Sequence, residues 1–126
     1  METHSPEDYN ERFRIRTKNL ALNIILLYKH LKAREEFRII GKQLIRAGTS
    51  VAANFRAACR ARSNAEYYAK MCIMVEECDE TLFWLELIQA TNFINIEPLP
   101  EIVKETKYLL VVFARTKKSM KMNKGK

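Results

Sequence analysis

Glycine and proline are scarce in this chain, with three of each in 126 residues. A β-sandwich or barrel needs many tight turns, so this scarcity argues against both. Long apolar runs are missing too. The longest, Leu20 to Tyr28, is interrupted by Asn23 and falls far short of the ~20 residues that a membrane-crossing helix needs. The opening residues METHSPEDYNERF are polar and acidic, unlike a secretory leader. Histidine is limited to His4 and His30, and neither follows a glutamate by three positions, which excludes the Glu-x-x-His pattern of di-iron bundles. The cysteines, Cys59, Cys72 and Cys78, lack Cys-x-x-Cys spacing and lie far along the chain from both histidines. No metal and no cofactor is expected, and free thiols in a reducing cytoplasm account for the cysteines. A glycine-rich phosphate loop is also absent.

What is present is helical. At this length one domain is expected, large enough for a hydrophobic core. SPED at Ser5 to Asp8 is a helix start: a serine cap, a proline suited to the first position and two acids at the positive end of the dipole. Leu20, Ile24, Leu27, Tyr28 and Leu31 then recur at helical spacing, giving a first helix over about 6–32. The charged stretch AREEFR reads as a connector.

The second helix, about 38–61, carries Ile40, Leu44, Ala47, Val51, Asn54 and Ala58 on one row, and Ile45, Gly48, Ala52, Phe55 and Cys59 on the next. So many small side chains let a neighbouring backbone approach closely. Asn54 falls on the apolar row and reads as a buried polar residue that fixes packing register or association. Ser63 and Glu66 form a capping box for the third helix, about 63–92, whose stripe is Tyr68, Met71, Val75, Cys78, Leu82 and Leu85. Pro98 and Pro100 open the fourth helix, about 98–116, with Ile102, Thr106, Leu109, Leu110 and Phe113 inward. From Lys117 the chain turns lysine-rich without an apolar period, so 117–126 reads as a disordered basic tail. The expected fold is all-α: an antiparallel up-down-up-down four-helix bundle over 1–116.

Charge is arranged in blocks. Residues 12–62 carry thirteen Lys/Arg against two acids, and residues 63–105 carry nine acids against two bases. Residues 106–126 carry seven bases and no acid, and the net charge is +7. The candidate nucleic-acid contacts are Lys42, Arg46, Arg56, Arg60 and Arg62. The helix dipole, which favours cations near a C-terminus, and pairing with acids of helix three or of a neighbouring subunit account for Arg56, Arg60 and Arg62 first; phosphate contact comes second. Glu76, Glu77, Asp79 and Glu80 suggest paired catalytic carboxylates, but consecutive helical positions diverge and no base or nucleophile accompanies them. A solvated or ion-paired face is the better reading, and no enzyme chemistry is expected. Trp84 lies beside Phe83 and near Leu87 in ETLFWLEL, more apolar surface than one seam buries, which marks these three as a candidate oligomer interface.

Two segments, IGKQLIRAGTSVAANFRAACRARSNAEYYAK and EECDETLFWLEL, resemble the bacterial four-helix-bundle proteins encoded in intervening sequences of 23S ribosomal RNA genes. The similarity runs from about Arg12 to Phe113. Asn54, Arg56, Cys59, Arg60, Arg62 and Ser63 match the pattern, whereas Ala52, Phe55 and Ala57 stand where glycine, tyrosine and glutamate are usual. The resemblance implies a homopentameric ring. It also implies a distant relation to the accessory protein of diversity-generating retroelements, a basic pentamer that binds a reverse transcriptase and nucleic acid. Two readings follow: a non-enzymatic oligomer that binds RNA or DNA through clustered Arg and Lys, or a ring-forming scaffold that recruits a protein and uses its basic residues in subunit contacts.

Overall fold

A computed structural model describes residues 6–124, all helix and turn. Helix α1 spans Pro6–Leu31, α2 Glu35–Ala58, α3 Asn64–Thr91 and α4 Pro98–Lys124. Each helix packs on its neighbour in sequence, and α1 closes the square against α4, leaving α1–α3 and α2–α4 on the diagonals. This is the up-down-up-down bundle. Among the described residues no helix is long and apolar enough to cross a membrane.

The turns follow local chemistry. Between α1 and α2, Lys32 N donates to Tyr28 O at 2.9 Å and Arg34 N to Leu31 O at 3.2 Å, so the chain reverses within three residues. Helix α2 therefore begins three residues earlier than the charged stretch suggested, because Phe37 is fully buried and needs helical geometry to reach the core. It ends at Ala58: Arg60 N and Ala61 N turn to Ala57 O and Ala58 O, tightening the last turn. Arg60 and Arg62 thus sit in the α2–α3 turn and not in the helix. Ser63 caps α3 by accepting from Glu66 N at 3.1 Å. The reciprocal half of the expected box is replaced, since the Glu66 carboxylate faces Arg62 at 3.7 Å. Asn92 ends α3 in the left-handed region, φ 58°, a conformation asparagine tolerates better than most residues. Ser5, the expected first cap, lies outside the described residues.

Helix α4 departs most from expectation. It continues to Lys124, where a tail from Lys117 was expected. Lysine is a good helix former and cations suit a helix C-terminus, so lacking an apolar period does not stop the helix.

The core is aromatic at one end. Phe13, Phe55 and Phe113 are buried, with ring centroids 5.9 Å apart for Phe13–Phe113 and 5.7 Å for Phe55–Phe113. Tyr9 adds a fourth ring, 4.7 Å from Phe13. Burying a phenylalanine is worth roughly 1.5–3 kcal/mol, so this cluster anchors α1, α2 and α4 together. Three buried threonines, Thr17, Thr81 and Thr106, cost little, because each hydroxyl donates to a carbonyl one turn back in its own helix at 2.7–2.8 Å. On α3 the buried row is Met71, Met74, Cys78, Thr81, Leu85 and Ile88. Tyr68, Val75 and Leu82, expected on the seam, are half-buried at its flank.

Candidate nucleic-acid interface

Antiparallel parity places the start of α1, the end of α2, the start of α3 and the end of α4 at one end of the bundle. Contacts across that end fix the arrangement. The Tyr9 and Thr116 hydroxyls are 2.9 Å apart, and the Tyr9 ring lies 6.3 Å from Phe55. Cations gather here from two elements. Arg56 sits on the last turn of α2, with Arg60 and Arg62 in the following turn, and all three are exposed. Lys117, Lys118 and Lys121 come from the last turns of α4, which the sequence reading had set apart as a tail. Arg56, Arg60 and these lysines make no ion pair among the described residues. Arg62 meets Glu66 with its side chain still 90% exposed, so the guanidinium remains available to solvent. Glu7 and Glu11 of α1 share this end, and Glu11 is engaged by Arg14 at 2.7 Å.

The other candidate contacts lie elsewhere. Lys42 precedes Arg56 by fourteen residues, about 21 Å along the helix at ~1.5 Å per residue. Arg46 is exposed and reaches across the α2–α3 groove, where it meets Glu77 at 3.2 Å and also Glu80. Donating a hydrogen bond to Glu80 raises the Arg46 pKa. Glu80 is held below the ordinary carboxylate range, first by the indole N–H of Trp84 at 3.0 Å and then by Arg46. Two of the four acids considered for catalysis therefore serve as ion-pair partners of Arg46.

Asn54 is half-buried, a correction to its expected burial. Its amide donates to Ser50 O at 2.9 Å and Ser50 Oγ at 3.0 Å, within α2, so it reaches no neighbouring helix. Serine one turn back satisfies the amide locally, which is why no cross-helix partner is needed. On α3, Phe83 is 51% exposed and Leu87 38% exposed, while Trp84 packs against the core with its ring 5.0 Å from Phe83.

Neither Cys59 nor Cys78 is activated by this charge. Burial pushes the Cys59 thiol up despite nearby Arg14 and Arg60, and pushes Cys78 up to about 12. No group of three His, Cys, Asp or Glu side chains among the described residues could hold a metal ion. The lysine half of the cationic end escaped sequence reasoning, although helix parity alone brings the end of a fourth helix beside the turn after the second.

Comparison with known proteins adds a family and solved structures of similar fold. The description "23S rRNA-intervening sequence protein" matches residues 12–113. No curated protein matches. Among solved structures, a protein of unknown function from the S23 ribosomal protein family of Bacteroides thetaiotaomicron is similar at 31% identity and a TM-score of 0.75. The match covers 83% of this chain and 97% of that one.

Proposed function

The chain belongs to the 23S rRNA-intervening sequence protein family, and we propose that it is a non-enzymatic, oligomeric protein that binds RNA or DNA. The observation that carries this reading is the convergence of Arg56, Arg60 and Arg62 with Lys117, Lys118 and Lys121 at one end of the bundle, nearly all without carboxylate partners. A cluster of unneutralised cations attracts phosphates and releases their counterions, so affinity falls steeply with salt. Filter binding of RNA at low and moderate salt tests it. Retention at micromolar protein that disappears with salt, and that Arg60→Glu with Arg62→Glu abolishes, supports the reading. No retention at low salt ends it.

A second reading, the ring-forming scaffold that recruits a protein, is favoured by Arg46, whose charge is spent on Glu77 and Glu80 within the chain. Exposed Phe83 and Leu87 beside Trp84 supply an apolar patch suited to a neighbouring subunit. The two readings share the oligomer, for which the family resemblance suggests five copies. They part on the cationic end: reversing Arg56, Arg60 and Arg62 dissociates a ring that uses them as subunit contacts, and leaves intact one that offers them to nucleic acid.

A further inference from the structure

The cationic end is not flat. Between the α2–α3 turn, the first turns of α1 and α3 and the last turns of α4 lies an open cavity of about 480 Å³. Tyr9 and Tyr67 contribute aromatic surface, Met120 and Cys59 apolar surface, and Asn10 and Asn64 side-chain amides. The Tyr9 ring is fixed by Phe13 and Phe55, and its hydroxyl is spent on Thr116. The other polar groups are not spent. The Tyr67 hydroxyl and the amides of Asn10 and Asn64 have no hydrogen-bond partner among the described residues. Burial holds the Tyr67 phenol protonated, with its pKa pushed up to about 12, so it remains a neutral donor at any physiological pH.

We propose that this cavity receives an unstacked base of a single-stranded nucleic acid, while Arg60, Arg62 and the α4 lysines hold the flanking phosphates. The inference rests on the nucleic-acid reading and adds what that reading lacks, a place for the base. A base offers a flat π-face and an edge bearing both donors and acceptors. Aromatic and thioether surface suits the face, and the amides, each donor and acceptor at once, suit the edge together with the phenol. The volume falls within the range of small-ligand pockets. In a duplex the bases are stacked and paired, so a site of this kind selects single strands. By contrast, the cleft between α1 and α4 sets Glu101 beside Lys29 and His30, and its Glu105 is held by Arg16, so it offers mixed charge in place of a cationic cluster. The cavity also lies away from Phe83 and Leu87, which sit about four to six turns further along α3, so a subunit contact there leaves it open.

Fluorescence anisotropy with the full chain tests the inference, using short RNA and DNA single strands, the same strands with abasic sites, and the corresponding duplexes. Base-bearing single strands should bind roughly tenfold more tightly than abasic strands of the same length. Tyr67→Phe keeps the ring and the fold, and Asn64→Ala alters an exposed side chain. Each should narrow that ratio without changing affinity for the abasic strand. Arg60→Glu should weaken binding to both strands. Equal, salt-sensitive binding of base-bearing and abasic strands overturns the base site and leaves the nucleic-acid reading standing. Absence of binding to any strand overturns both. Unchanged helical circular dichroism and thermal midpoint in the variants assign the effects to binding.

Discussion

The δ-methyl of Ile24 fills the space that a β-carbon on Gly48 would take. Here α1 and α2 approach closely, with Gly48 and Ile24 both buried. Gly48→Ala gains up to ~1 kcal/mol of helix propensity and loses about 1–3 kcal/mol to overpacking, so a net loss near 1 kcal/mol is expected. Ile24→Val alone leaves a small void and costs about 0.5–1.5 kcal/mol. The double variant should be more stable than the two single effects sum to, because one change makes the room that the other needs. Urea midpoints of the four proteins decide; strict additivity refutes the close approach.

Arg46 and the arginines of the α2–α3 turn should behave as different classes. Arg46→Glu places a third acid beside Glu77 and Glu80 and should lower stability by about 1 kcal/mol or less, read as a lower thermal midpoint, given how exposed the pair is. Its effect on RNA binding should be small. Arg60→Glu should do the reverse, sparing stability and weakening binding.

The Glu80 carboxylate gives acid sensitivity of known sign. Its folded pKa is depressed, by the Trp84 indole first and Arg46 second. The stability it contributes is present above the ordinary carboxylate pKa of 4.5 and is lost as pH falls through the lower folded value. Trp84→Phe, which keeps a ring and removes the N–H donor, should flatten that acid limb of a melting-temperature profile.

Cys78 acts at the opposite end of the pH scale. Its thiol is raised from 9.0 to about 12 by burial, so the stability it contributes is intact below pH 9 and declines between about 9 and 12. At neutral pH an aromatic disulfide reagent should label Cys59 and Cys72, both half-buried, and should reach Cys78 only on unfolding. Cys78→Ala should remove part of the alkaline loss.

The exposed ring of Phe83 is the sharpest probe of assembly. Light scattering at low micromolar concentration should give a mass several times the 14.8 kDa of the chain. Phe83→Asp and Leu87→Asp should lower it, with little change in helicity. A wild-type monomer contradicts the oligomer.

Four helices, their order and most turns were legible in the sequence, because caps, prolines and apolar periods act locally. The register of α3 was less so. Apolar residues lie on several sides of that helix, and the buried Thr81 passes for a surface residue unless its hydroxyl is known to bond Glu77 O. Phe37 was hidden inside a charged stretch, and Phe13 preceded the stripe that defined α1, yet both are core. The candidate site was half legible. Arg56, Arg60 and Arg62 stood out as a run, whereas their neighbours Lys117, Lys118 and Lys121 come together with them only through the fold. The engagement of Arg46 also needed the structure, since opposite charges 31 and 34 residues apart announce no pairing.

Among the described residues the seam between α1 and α4 is the one adjacent pair of helices that joins the two ends of the chain. Arg16 grips Glu105 through two hydrogen bonds of 2.9 and 2.5 Å and lies 4.3 Å over the Tyr108 ring, bridging 89 residues of sequence. The remaining pairings form between neighbours, at little loop-closure entropy, and a topology so dominated by local contacts folds on the microsecond-to-millisecond scale. On that ground we expect the seam to form late in folding and to release before the α2–α3 pair in the native state. Amide hydrogens of α4 should exchange with solvent through that partial opening, ahead of those in the α2–α3 pair. A bundle built this way can loosen one wall, the wall bearing the lysines, while the other three helices stay assembled.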